Sequence, residues 1–129
     1  MKKATKEDRK RIGGWIRKWQ TTLFLNDWDI KVYYPDSEKG NGCAASTDCS
    51  TRYYEASIDF FPSLFSEDVE TQWKVVLHEM LHIVLSSMQS MMARPHNGVS
   101  VSPDELKDSL EQTTTRLTNV LNSAWPYKK

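Results

Sequence analysis

The chain reads as a small α+β domain, with an N-terminal helix, a small three-stranded mixed sheet, a buried central helix and a C-terminal helix. Three observations predict this. Apolar residues recur at helical spacing in three stretches, 5–25, 67–87 and from 102 onward. Two short stretches, 28–34 and 53–61, alternate apolar with polar residues as half-buried strands do. The strand signals fall together between the first and second helices, and such segregation describes α+β rather than alternating βαβ units.

In the first helix Ile12, Trp15, Ile16, Trp19 and Leu23 form the apolar stripe, and Thr5 with Asp8 three residues on marks its start. Gly13-Gly14 in its middle weakens it by roughly 1 kcal/mol per glycine. In the first strand Trp28, Ile30, Val32 and Tyr34 share one face, and Asp29, Lys31 and Tyr33 the other. Residues 35–42 are a turn or loop, and 43–47 are read as a short strand. In the last strand Tyr54, Ala56, Ile58 and Phe60 are expected to face the core, with Tyr53, Glu55, Ser57 and Asp59 outside, before Pro62 ends it. The second helix opens on an acidic turn, Glu67, Asp68 and Glu70, which suits its positive end. Residues 90–100, with Pro95, Asn97 and Gly98, read as a loop. The final helix starts at Ser102 as N-cap, Pro103 and Glu105, and carries Leu106, Leu110, Leu117, Val120 and Leu121 as its stripe.

At 129 residues the chain provides for one domain, 1–129. It is long enough to bury roughly two thirds of its unfolded surface, so no disulfide or metal is required for folding. The formal net charge is zero, which argues against a nucleic-acid partner, because there is no excess of cations to displace phosphate counterions. The first eighteen residues are the exception, with eight Lys or Arg against Glu7 and Asp8. Such a face is usually only solvated. Cys43 and Cys49 form neither a disulfide framework nor a pair of CxxC knuckles. With no apolar leader and no membrane-length run, the expected home is a reducing cytoplasm.

The chemistry is concentrated in residues 73–85, where everything after Lys74 is apolar except His78, Glu79 and His82. A helix that is apolar all round belongs in an interior, and polar groups there need partners. Residues four apart lie on one side of a helix, so His78 and His82 can both direct a ring nitrogen at one Zn²⁺. Glu79 sits one step round from His78, placed as a general base for a water that the metal activates. This is the HExxH arrangement of zinc peptidases.

A catalytic zinc needs a third protein ligand. Leu85 and Met88 stand where a metzincin would have glycine and histidine, and no thermolysin-type ExxxD follows. His96, Glu105, Asp108 and Glu111 remain. His96 lies in the Pro95–Asn97 loop, Glu105 is used by the helix cap, and Asp108 points further from the apolar stripe. Glu111 sits mid-helix beside Leu110, at the margin of the stripe, and is the preferred ligand; His96 is the alternative. The strand at 53–61 precedes the metal helix and is a candidate edge for an extended substrate. Tyr53, Tyr54 or His96 are candidates for stabilising an oxyanion.

With His78-Glu79-Met80-Leu81-His82 in its apolar helix, Asp27-Trp28-Asp29-Ile30 at the strand entry and Glu111 on a later helix, the chain resembles the minimal zincin-like metallopeptidases of bacteria and phages. It is similar in outline to ImmA/IrrE- and SprT-like peptidase domains. The resemblance implies a gluzincin-like zinc peptidase acting on a protein or peptide, in the host cytoplasm if phage-encoded. An acidic third ligand on a later helix is the ImmA/IrrE arrangement, and Glu111 matches it. Two rival functions are a non-catalytic, zinc-stabilised binding protein and a nucleic-acid adaptor that uses the basic N-terminal helix.

Overall fold

A computed structural model describes residues 3–38, 42–92 and 102–128. In order they form α1 (Lys6–Thr22), β1 (Asp29–Tyr33), β2 (Ala45–Ser50), β3 (Glu55–Phe60), a 3-10 turn (Pro62–Ser66), α2 (Val69–Met92) and α3 (Pro103–Ala124). The expected α+β layout is the observed one: three helices and a small mixed sheet.

The start of α1 is built by side chains. Thr5 Oγ1 accepts from the Asp8 amide at 3.1 Å, and Asp8 Oδ2 accepts from the Thr5 amide at 2.9 Å, a reciprocal capping box. Arg11 Nη2 donates both to Asp8 Oδ1 at 2.9 Å and to Gln72 Oε1 at 2.6 Å. Buried Asp8 and Gln72 are thus satisfied by one guanidinium that ties α1 to α2. The helix ends at Thr22, short of the expected 25, and the chain turns through Phe24 in the left-handed region (φ 58°) to bury Leu25.

The sheet order is β1-β3-β2, with β3 parallel to β1 and antiparallel to β2. Alternation predicts the faces of β1 and β3: Trp28, Ala56, Ile58 and Phe60 are buried, Ile30 and Val32 are partly so, and Asp29 and Lys31 are exposed. Two expectations fail here. The strand expected at 43–47 is displaced to Ala45–Ser50, because its Ser, Thr and Asp content carries little apolar signal and its bounds come from pairing, Ala45 with Phe60 through Ser50 with Glu55. Tyr54 is half exposed rather than a core residue, since it takes a left-handed turn conformation (φ 52°) before β3 begins. Its ring still meets Trp28 edge-on, with centroids 5.5 Å apart.

One apolar cluster joins α1 (Ile12, Ile16, Trp19), β3 (Ile58, Phe60) and α2 (Trp73, Val76, Leu77, Met80, Ile83). α2 contacts α1, β2 and α3, and is the element on which the others meet. It begins at Val69, two residues later than expected, with the Asp68 carboxylate accepting from the Thr71 amide at 2.8 Å. It also runs on to Met92, into the stretch read as a loop, and the remainder of that stretch lies outside the described residues. α3 starts as expected, with Ser102 Oγ accepting from the Glu105 amide at 3.1 Å. Its buried face differs from the expected stripe: Leu106 and Leu110 continue into Thr114 and Thr118, whereas Val120 is 63% exposed. The contact with α2 follows a four-residue step from Leu106, and Val120 falls outside that row.

Gly13 and Gly14 are not required by packing. A methyl group added at either would meet only the Arg17 guanidinium, at 3.6 and 3.9 Å, which is ordinary contact. Gly13→Ala and Gly14→Ala should each stabilise the protein by about 0.5–1 kcal/mol, read as a rise in urea midpoint at unchanged slope. A fall in the midpoint would show that the helix needs the glycine at that position.

Candidate metal centre

Of the three candidate site residues on α2, Glu79 is the deepest, 5% exposed, and His78 and His82 are partly buried. The two imidazoles lie one turn apart, ring centroids 4.9 Å apart and planes crossed at 78°. The ligand atoms of His78, Glu79 and His82 all lie within 4.8 Å of one another, so this group could hold a metal ion.

The neighbouring elements supply the rest. From α3, Glu111 reaches across the helix pair: Oε1 is 2.8 Å from His78 Nε2 and Oε2 is 3.4 Å from His82 Nε2. Its side chain is 55% exposed, so it approaches from the open side of the site. From the other side, Thr47 of β2 donates its hydroxyl to Glu79 Oε1 at 2.8 Å. Thr47 can do this because its register partner is the buried Ile58, and directly paired residues share a face, so residue 47 faces inward over α2.

Thr118 adds a further contact behind His78. Its hydroxyl proton is given to the Thr114 carbonyl at 2.7 Å, so toward His78 Nδ1, at 3.5 Å, it can only accept. That polarity suits a proton on Nδ1 and leaves Nε2 to face Glu111. Burial first, and then the nearby His78, hold the His82 imidazole below its ordinary pKa, with Glu111 opposing them. A neutral imidazole is the form that ligates metals.

The site opens into a cleft of about 410 Å³ between the beginning of β2, the first half of α2 and the middle of α3. Its walls include Cys43, Ala45, Lys74, Thr115 and Asn119, with His78, Glu79 and Glu111 at the reactive end.

Of the residues singled out from the sequence, His78, Glu79, His82 and Glu111 are brought together. Glu105 and Asp108 are exposed on α3, and His96 lies outside the described residues. Tyr53 and Tyr54 are in the β2–β3 turn, Tyr54 against Trp28, and neither lines the cleft. The strand expected to offer a substrate edge, β3, is paired on both sides; the edge nearer the site is β2. Thr47 and Thr118 went unnoticed in the sequence. The only signals for them were the alternation Ala45-Thr47-Cys49 and the four-residue step Leu110-Thr114-Thr118. Comparison of the chain with protein families, curated proteins and solved structures finds no match.

The two thiols are set apart by the same geometry. Cys43 is exposed at the cleft. Cys49 is half-buried and its thiol is pushed up to about 11, mainly by burial, with a Ser86 hydrogen bond opposing and the charges of Asp48 and Glu79 adding to the rise. The thiolate is the reactive form. At pH 8 an aromatic disulfide reagent should therefore label Cys43 promptly and Cys49 slowly, with the Cys49 rate climbing as pH approaches 11. Equal rates at pH 8 would contradict this placement.

Proposed function

We propose that the chain is a zinc-dependent peptidase, with His78, His82 and Glu111 as metal ligands and Glu79 as general base. The observation that carries this reading is the division of labour between two carboxylates. Glu111, from a separate helix, meets both imidazole Nε2 atoms, while Glu79, whose carboxylate lies within 4.8 Å of the imidazole ligand atoms, is held by the Thr47 hydroxyl.

The donor set fits the ion. Two imidazole nitrogens and a carboxylate are a known catalytic zinc set. Four ligands at about 2.0–2.1 Å in a tetrahedron stand about 3.3 Å apart. The nitrogen–oxygen separations of 2.8 and 3.4 Å bracket that value. The Nδ1 contact with Thr118 supplies the outer hydrogen bond that orients a ligating histidine.

When bound, zinc supplies Lewis-acid polarisation of a carbonyl and lowers the pKa of a coordinated water toward 7. The protein's own residues do the remaining work. Glu79, buried beside the ligands, accepts the proton of the attacking water and can return it to the leaving amine. The Thr47 hydroxyl fixes which way that carboxylate points. The cleft admits a segment of protein or peptide, and β2, with a strand partner on one side only among the described residues, offers backbone groups to an extended chain. The likeness to minimal zincin-like peptidases supports the same assignment.

Elemental mass spectrometry of the purified protein should find about one zinc per chain, and His78→Ala or His82→Ala should abolish tight binding. Full occupancy in either variant would remove the proposal. Glu79→Gln should keep the metal and the fold but lower peptide turnover by about 100-fold or more; unchanged turnover would dismiss Glu79 as the base.

Competition with a chelator separates the outer residues. Glu111→Gln should weaken zinc binding by roughly 10-fold or more, and His96→Ala should leave it nearly intact. The reverse ranking would move the third ligand to His96. Thr118→Val, which keeps the shape but not the acceptor, should cost about 10-fold in zinc affinity, with Thr118→Ser close to the parent. Equal affinities of the two variants would mean that the hydroxyl only fills space.

A further inference from the structure

We infer that Lys74 makes the cleft selective for substrates carrying an acidic side chain about two residues from the scissile bond; this rests on the peptidase reading above. Lys74 lies one turn before His78 on α2, on the same side of the helix as His78 and His82, and its residue lines the cleft. It is exposed, and among the described residues it makes no ion pair, although Glu70 sits four residues before it. Its charge is therefore available to a ligand.

Outside the histidines and glutamates of the site, Lys74 is the one charged group lining the cleft among the described residues. Cys43, Ala45 and Val75 on one flank and Thr115 and Asn119 on the other are uncharged. With a divalent cation bound, its two charges offset the carboxylates of Glu79 and Glu111, and the Lys74 ammonium is left as the net charge of the cleft. A cleft of that charge favours carboxylates and disfavours cations at the same subsite.

The spacing follows from helix and strand geometry. Four residues of helix rise about 6 Å, and an extended peptide advances about 3.3 Å per residue. A substrate whose scissile carbonyl is beside His78 thus brings the side chain two residues away next to Lys74. An exposed ion pair of this kind contributes a few-fold to affinity rather than orders of magnitude.

The test separates binding from cleavage. Fluorescein-labelled peptide pools, randomised among uncharged residues except for a single Glu, Gln or Lys, are titrated against the zinc-loaded full chain carrying Glu79→Asp, which keeps the carboxylate charge while drawing the base back. Turnover of the same pools is followed with the zinc-loaded parent protein. The Glu pool should bind about fivefold more tightly than the Gln pool at low salt, with the difference shrinking as salt rises. Lys74→Gln should erase the preference, and Lys74→Glu should transfer it to the Lys pool, with the thermal midpoints of both variants close to the parent. Equal or absent binding of the Glu and Gln pools overturns the inference, as does a Glu preference that survives Lys74→Gln. Acid-selective, Lys74-dependent binding without turnover by the parent would uphold the inference and sink the peptidase reading. Turnover without acid preference would do the opposite.

Discussion

The middle of α2 cannot be exposed to water, and it cannot be buried without help. Val76, Leu77, Met80, Leu81 and Ile83 are sealed against α1, the sheet and the 3-10 turn, and each such side chain contributes roughly 1.5–3 kcal/mol on burial. The same helix carries two imidazoles and a carboxylate, and a buried polar group left without a partner costs about 1–3 kcal/mol, more if charged. Glu79 meets that demand through Thr47, and His78 meets it at Nδ1 through Thr118. These contacts come from β2 on one side of α2 and from α3 on the other.

This explains why α3 is unusual. A helix packed against an apolar neighbour would ordinarily present leucine at each contact position. Here two of the four fully covered positions are threonines that return their hydroxyl protons to their own helix at Leu110 and Thr114. Such back-bonding satisfies a buried hydroxyl without breaking the helix, and it leaves the oxygen able to accept from His78. The outer part of α3 then carries Glu111 at the solvent boundary, where a carboxylate can reach the imidazoles without being fully desolvated.

The aromatic residues fix the opposite end of the helix pair. Trp15, Trp19, Trp73 and Tyr127 form a chain of edge-on and tilted contacts, and Trp73 Nε1 donates to the Trp125 carbonyl at 3.2 Å. Large rings with defined mutual geometry hold the N-terminal half of α2 against α1 and the chain's last residues. Across this half of α2 lie the cleft and Lys74, so most of the walls that a ligand would meet are carried by α2 and α3, with Cys43 and Ala44 added from the segment before β2.

Periodicity and capping residues by themselves determined the three helices, two of the strands and the faces that α1, β1 and β3 bury, because burial on one side imposes a period on the residue types. The four-residue spacing of His78 and His82 likewise put both imidazoles on one side of one helix, and Glu79 beside them, with no tertiary information. What only the tertiary structure decided is what joins those residues from elsewhere. β2 has a polar composition and no strong alternation of its own, so its register, and with it Thr47 over Glu79, depends on pairing with β3. Tyr54 reads as a core residue until the turn before β3 claims its backbone. Thr118 and Val120 exchange their expected burial because the rotation of α3 is set by what α2 presents to it, His78 included. A local pattern encodes what a helix does to its own residues; the meeting of Glu111 with two histidines depends on the rotation and separation of two helices, which no local pattern contains.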